Sequence, residues 1–185
     1  MFSLKKVKHK LSKLGLSEGG DVPTYSSDTT NNGIIGYADK AEFICNEEHP
    51  VYLVFGDHTR SMNIARKSFS VLDNVKVLEP CIDNDEVLMY LSTVWEKCIP
   101  NLGYSRHWKI AKDRQLNLPI QTTKDNTPIL DPTHTYHKDG YILDFSYMES
   151  YIRATEKLVI ADVVRWKDEE IKKTKEILSK DSDIR

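Results

Sequence analysis

The longest regular pattern of apolar and polar positions lies near the end of the chain. Between residues 144 and 180, DFSYMESYIRATEKLVIADVVRWKDEEIKKTKEILSK contains no glycine or proline. Phe145, Met148, Ile152, Val159, Val163 and Trp166 recur there at the spacing of a single helix face. A helix of about 35 residues extends roughly 50 Å at 1.5 Å per residue. That is long for a small domain, so the stripe is expected to be covered by a partner. The competing expectation is that the helix folds back on its own domain.

The first 120 residues read differently, as short elements separated by turns. SEGGDVP (17–23) has loop chemistry, and TTNNGIIGYA (29–38) reads as a turn on Asn-Gly followed by a short strand. VYLVF (51–55) is a continuous apolar run of buried-strand length, and FSVLDNVKVLEP (69–80) a second strand or a hairpin. DNDEVLMYLSTVWEKC (83–98) predicts a helix, with Asp83 and Glu86 placed as a capping box and Leu88, Leu91, Trp95 and Cys98 at helical intervals. LNLPI (116–120) predicts a last strand. QTTKDNTPILDPTHTYHKDG (121–140) is polar and broken by prolines, which marks a connector. The expected fold class is α+β. A compact mixed α/β domain spans 1–120, a connector 121–143, and a long C-terminal helix 144–180.

Composition narrows the functional classes only slightly. The 185 residues carry a formal net charge of −2, so charge matters through its placement. Lys5, Lys6, Lys8, Lys10 and Lys13 cluster in the first thirteen residues with no acid among them. No apolar run approaches the roughly 20 residues of a membrane span, and no secretory leader is read at the start. Cys45, Cys81 and Cys98 are odd in number and widely spaced, which fits reduced thiols in a cytoplasm.

Four chemistries can be weighed on the residues alone. Ser105, His107 and the Asp57-His58 pair supply triad residue types, but Ser105 lacks a nucleophile-elbow pattern. His134 and His137 with Asp131 and Asp139 are a weak metal set in a polar loop. Glu170 and Lys172 form a nuclease-like pair that is more simply an exposed helix face. No phosphate-binding or dinucleotide glycine motif is present, and the sequence calls for no cofactor. The fourth reading is nucleic-acid binding. Lys5, Lys6 and Lys8 can neutralise phosphates. Thr29, Thr30, Asn31 and Asn32 offer short polar side chains beside a flexible turn. His58, Thr59 and Arg60, and Ser105, Arg106, His107 and Lys109, supply residue types that contact phosphates and base edges. Trp108 is the expected buried anchor of the last group.

The same stretches carry a resemblance. VPTYSSDTTNNGIIGYADKAEF, VYLVFGDHTR, VKVLEP and IPNLGYSRHWKIAKDRQLNLP, in this order, resemble a target recognition domain of Type I restriction–modification specificity subunits. The segment from Gly140 onward is similar to a C-terminal helix of related restriction–modification proteins. The resemblance implies a non-catalytic reader of double-stranded DNA. Its helix would dock an adenine methyltransferase subunit, and a separate restriction endonuclease subunit would cut. The matching positions are Thr29, Thr30, Asn31, Asn32 and Gly33, then Asp57, His58, Thr59 and Arg60, then Tyr104, Ser105, Arg106 and His107. Of these, Asp57 is expected to hold the fold, because a carboxylate facing phosphate is repelled.

The chain departs from the family in having room for one recognition domain rather than two. It is a half-subunit that pairs with itself, a domain of a larger polypeptide, or an orphan. The alternative function is a protein-interaction module that binds methyltransferase subunits without reading DNA.

Overall fold

A computed structural model describes the backbone of residues 1–182 and the side chains of residues 1–175. The fold is α+β. Seven strands, β1 (Phe2–Lys5), β2 (Val22–Tyr25), β3 (Ile34–Ala38), β4 (Tyr52–Gly56), β5 (Met62–Ala65), β6 (Ser70–Val71) and β7 (Val75–Pro80), precede three helices, α1 (Asp85–Cys98), α2 (Trp108–Ala111) and α3 (Phe145–Ser182). An antiparallel sheet has the order β1-β7-β4-β5, and a smaller mixed sheet the order β3-β2-β6.

The unbroken apolar run at 51–55 has a direct structural cause. Alternate side chains of a strand point to opposite faces. Tyr52 and Val54 join Tyr25, Phe43, Phe69 and Val71 in one core cluster. Val51, Leu53 and Phe55 join Leu88, Trp95 and Ile99 of the α1 region in another. Every residue of β4 is buried, so neither face can be polar. The segment 69–80 is not a hairpin. β6 pairs in parallel with β2, and the chain crosses at Leu72–Asn74 to the other sheet, where β7 lies between β1 and β4.

Helix α1 begins one residue later than the expected capping box. Asn84, not Asp83, is the cap, and its side chain accepts from the Val87 N–H at 2.9 Å. Asp83 and Asp85 instead pair with Arg66. LNLPI forms no strand. Ile120 makes only an isolated bridge to Leu143, and the connector is likewise a series of isolated bridges and turns. The basic N-terminal segment is not a free arm. Its first residues are strand β1, and the fold brings acids to it. Lys5 Nζ donates to Glu79 at 2.8 Å, and Glu42 accepts from the Lys8 and His9 backbone N–H groups. The Glu79 carboxylate raises the Lys5 pKa, and Lys5 lowers that of Glu79.

Helix α3 divides into two parts. Phe145, Met148 and Ile152 pack against their own domain. Met148 is fully buried among Val87, Leu91 and Leu143, and Ile152 is 8% exposed. Polar contacts fasten the same turns. Arg153 bridges Glu86 and Glu149, and Asn84 donates to Glu149. Met148 and Ile152 are therefore covered within the chain and not open to a partner, while Phe145 is only partly covered. From Arg153 to Lys175 every residue is exposed. Val159 is 58%, Val163 57% and Trp166 64% accessible, joined by Leu158, Ile160 and Val164.

The division has a thermodynamic signature. Met148→Ala is expected to cost about 2–5 kcal/mol by opening a cavity in a filled core. Val159→Ala is expected to change monomer stability by less than about 0.5 kcal/mol. Urea unfolding of the two variants at low protein concentration checks both.

Candidate nucleic-acid interface

The strand order brings several loops to one end of the larger sheet. β1 and β4 both run antiparallel to β7, with Lys5 opposite Val77 and Gly56 opposite Val75. The chain after β1 and the turn after β4 therefore leave at the same end, beside the Leu72–Asn74 crossing. Lys10 Nζ donates to the Asp73 carbonyl there at 3.3 Å.

Hydrogen bonds lace three segments together at this end. Asp57, only 2% exposed, is the centre. Its backbone N–H donates to the Asn74 carbonyl at 3.0 Å, and its own carbonyl accepts from the His107 backbone N–H at 2.9 Å and from His107 Nδ1–H at 3.0 Å. Its carboxylate accepts from the Trp108 backbone N–H at 2.7 Å and stands 3.5 Å from the Arg106 guanidinium. The first loop joins through Ser27. The Ser27 hydroxyl donates to the Asn74 carbonyl at 2.6 Å and accepts from the His58 N–H at 3.3 Å. A Cβ on Gly56 would lie 2.5 Å from Ser61 Oγ and 3.0 Å from Ser27 Cα, so the close approach of the two segments favours glycine.

His107 has no exposed surface. Besides donating from Nδ1, its ring accepts the Leu102 N–H at Nε2 at 3.2 Å, which fixes the tautomer with the proton on Nδ1. The residue is removed from the DNA-contact set by its burial, and it closes the Leu102–His107 turn instead. Trp108, the expected anchor, is only partly buried. It packs beside Phe55 and Trp95, so His107 is the more deeply enclosed of the two.

Arg60 is half-buried, and its guanidinium is committed to the backbone. The tight turn between β4 and β5 places it at φ 66°, and its guanidinium donates to the Ile99 carbonyl at 2.7 Å. It thus satisfies the carboxyl end of α1, where carbonyls lack helical partners and the helix dipole favours a cation. Thr59 is half-buried against Ser61, and Ser105 is half-buried with its carbonyl accepting from His58 Nδ1–H at 3.1 Å. Lys5 is held by Glu79, while Lys6 and Lys8 are exposed.

Thr29, Thr30, Asn31, Asn32, Tyr104, Arg106 and Lys109 are open to solvent, as are Lys6, Lys8 and Lys10 of the N-terminal segment. The first four occupy a shaped loop. Asp28 accepts from both the Thr30 N–H and hydroxyl at 2.9 Å, which holds its carboxyl below the ordinary carboxylate range. Asn31 and Asn32 follow at φ 46° and 51°, the left-handed region that asparagine tolerates better than most residues. Ser27 and Asn74, which bind the segments together, carry no sequence signal that sets them apart from other turn residues.

The other chemistries do not assemble. Neither ring nitrogen of His107 faces Ser105, and His58 bonds the Ser105 carbonyl rather than its hydroxyl, so these residues form no triad. Asp131 is occupied by Thr133 and Thr135, which hold its carboxyl far below the usual range. No group of three or more His, Cys, Asp or Glu able to hold a metal occurs among the described residues. Glu170 pairs with Lys173 along an exposed helix face. No described helix is long and apolar enough to cross a membrane.

No protein-family model, curated protein or solved structure matches the chain.

The clamp is testable without any ligand. Asp57→Ala leaves the Trp108 N–H without its acceptor, and is expected to destabilise the fold by about 1–3 kcal/mol. Chemical denaturation measures that loss. An unchanged midpoint would show that Asp57 does not hold the loops.

Proposed function

We propose that this chain is a non-catalytic, sequence-specific double-stranded DNA-binding component of a restriction–modification system. In this reading it directs an adenine methyltransferase subunit, and with it a restriction endonuclease subunit, to their site in the cytoplasm. The observation that carries the reading is the shared clamp. The three segments that resemble target recognition motifs are joined through Ser27, Asp57 and Asn74 at one end of the sheet, with Arg106 exposed beside them. Rigid loops that project short amides, hydroxyls and a guanidinium suit contacts with phosphates and base edges.

The exposed part of α3 supplies the second half of the role. Six large apolar side chains between Leu158 and Trp166 are each more than half accessible. Exposed apolar side chains in that number mark an interaction surface, since burying them returns about 25 cal/mol per Å². A methyltransferase subunit, or a second copy that sets two recognition domains at opposite ends of a helical spacer, would cover it. The same patch favours the second reading, an interaction module that has given up DNA.

Arg106→Ala separates the two. Under the DNA reading the folded variant binds duplex DNA more weakly. If Arg106 meets phosphate, the slope of log affinity against log salt falls by roughly 1. If it reads guanine, the loss is about 1–3 kcal/mol and confined to one base position. A wild-type chain without salt-dependent DNA affinity, whose self-association is abolished by Val159→Asp, would favour the interaction module.

A further inference from the structure

We infer that Tyr104 is a stacking platform for a nucleobase whose face is free of its neighbour. The inference rests on the DNA-binding reading and adds a mode of contact to it. Tyr104 is 89% exposed, so its ring contributes little to the core. It is nevertheless not a loose side chain. Its ring lies 4.4 Å from that of His58 and within 7° of parallel.

His58 is itself held in place. Its Nδ1–H donates to the Ser105 carbonyl at 3.1 Å, and its backbone N–H donates to Ser27. The turn that carries Tyr104 is also constrained. Gly103 lies at φ 67° and donates to the Asn101 side chain at 3.0 Å, while the Ser105 N–H donates to the Gly103 carbonyl at 2.9 Å. One face of the Tyr104 ring is thus backed by a fixed aromatic plate, and the high exposure leaves the other face open.

An open aromatic face with a rigid backing fits the π-face of a base, because stacking depends on overlap and loses least when neither ring must be ordered on binding. Paired bases inside a duplex have both faces covered, so the partner is a base that is unpaired, bulged or opened. Arg106, two positions along and more than half exposed, is placed to hold the adjoining phosphate.

The test uses the full chain with two mixed-sequence duplexes, one intact and one carrying a single unpaired 2-aminopurine. Wild type is expected to bind the bulged duplex roughly 5- to 100-fold more tightly and to quench the 2-aminopurine fluorescence. Tyr104→Phe keeps both effects. Tyr104→Ala loses both, binding the bulged and the intact duplex equally. Equal affinity for the two duplexes, or a preference and quenching that survive in Tyr104→Ala, would overturn the platform and leave the DNA reading standing. Failure of wild type to bind either duplex would overturn the DNA reading, and the platform with it.

Discussion

A histidine with no exposed surface ties this structure together. His107 donates from one ring nitrogen to the Asp57 carbonyl and accepts at the other from the Leu102 N–H. Asp57 returns the contact by accepting from the Trp108 N–H with its carboxylate. Two loops about fifty residues apart are thereby closed onto one another, and both ring nitrogens of His107 and the Asp57 backbone have partners. Buried polar networks are stabilising when fully satisfied and costly when partly so. The junction therefore specifies one arrangement of the surrounding loops.

The position of that junction follows from strand β4. Because β4 is buried on both faces, its end is a fixed point to which the smaller sheet, the larger sheet and α1 all refer. The Asp57–Arg60 turn leaves from it. Arg60 then caps the carboxyl end of α1, and Asn74 at the sheet crossing accepts from both Asp57 and Ser27. Interior residues thus do the positioning, and the exposed Thr29–Asn32 loop, Tyr104, Arg106 and Lys109 are what they position. The long helix is fastened at its beginning by Met148, Ile152 and Arg153 and then runs free of the domain with apolar residues exposed. The exposed loops and the exposed apolar part of α3 are in this way held by separate contacts.

Much of this was legible in the sequence where a periodic signal was strong. The run at 51–55, the strand after Asn-Gly, helix α1 and helix α3 all follow from spacing. What escaped depends on partners distant in the chain. β1 reads as a basic arm, since the acid that pairs with Lys5 lies 74 positions away. β2 is hidden by Pro23 beside a glycine-rich loop, and β5 by the polar start of SMNIA. Residue type told that His107 and Arg60 were polar but not that one is enclosed and the other caps a helix, because Asp57 lies 50 and Ile99 39 positions off. The helical stripe gave no sign of where cover ends. The α1 residues Val87 and Leu91 bury Met148, whereas Val159, eleven positions on, is exposed.

The central claim is that the clamped loops read a DNA sequence on behalf of a methyltransferase. Mapping of methylated adenine across a genome carrying this gene, and across the same genome without it, tests that most directly. The account predicts that one short or bipartite sequence motif loses its methylation when the gene is removed and regains it when the gene is returned. A methylation map identical in the two strains, with the methyltransferase expressed in both, would contradict it.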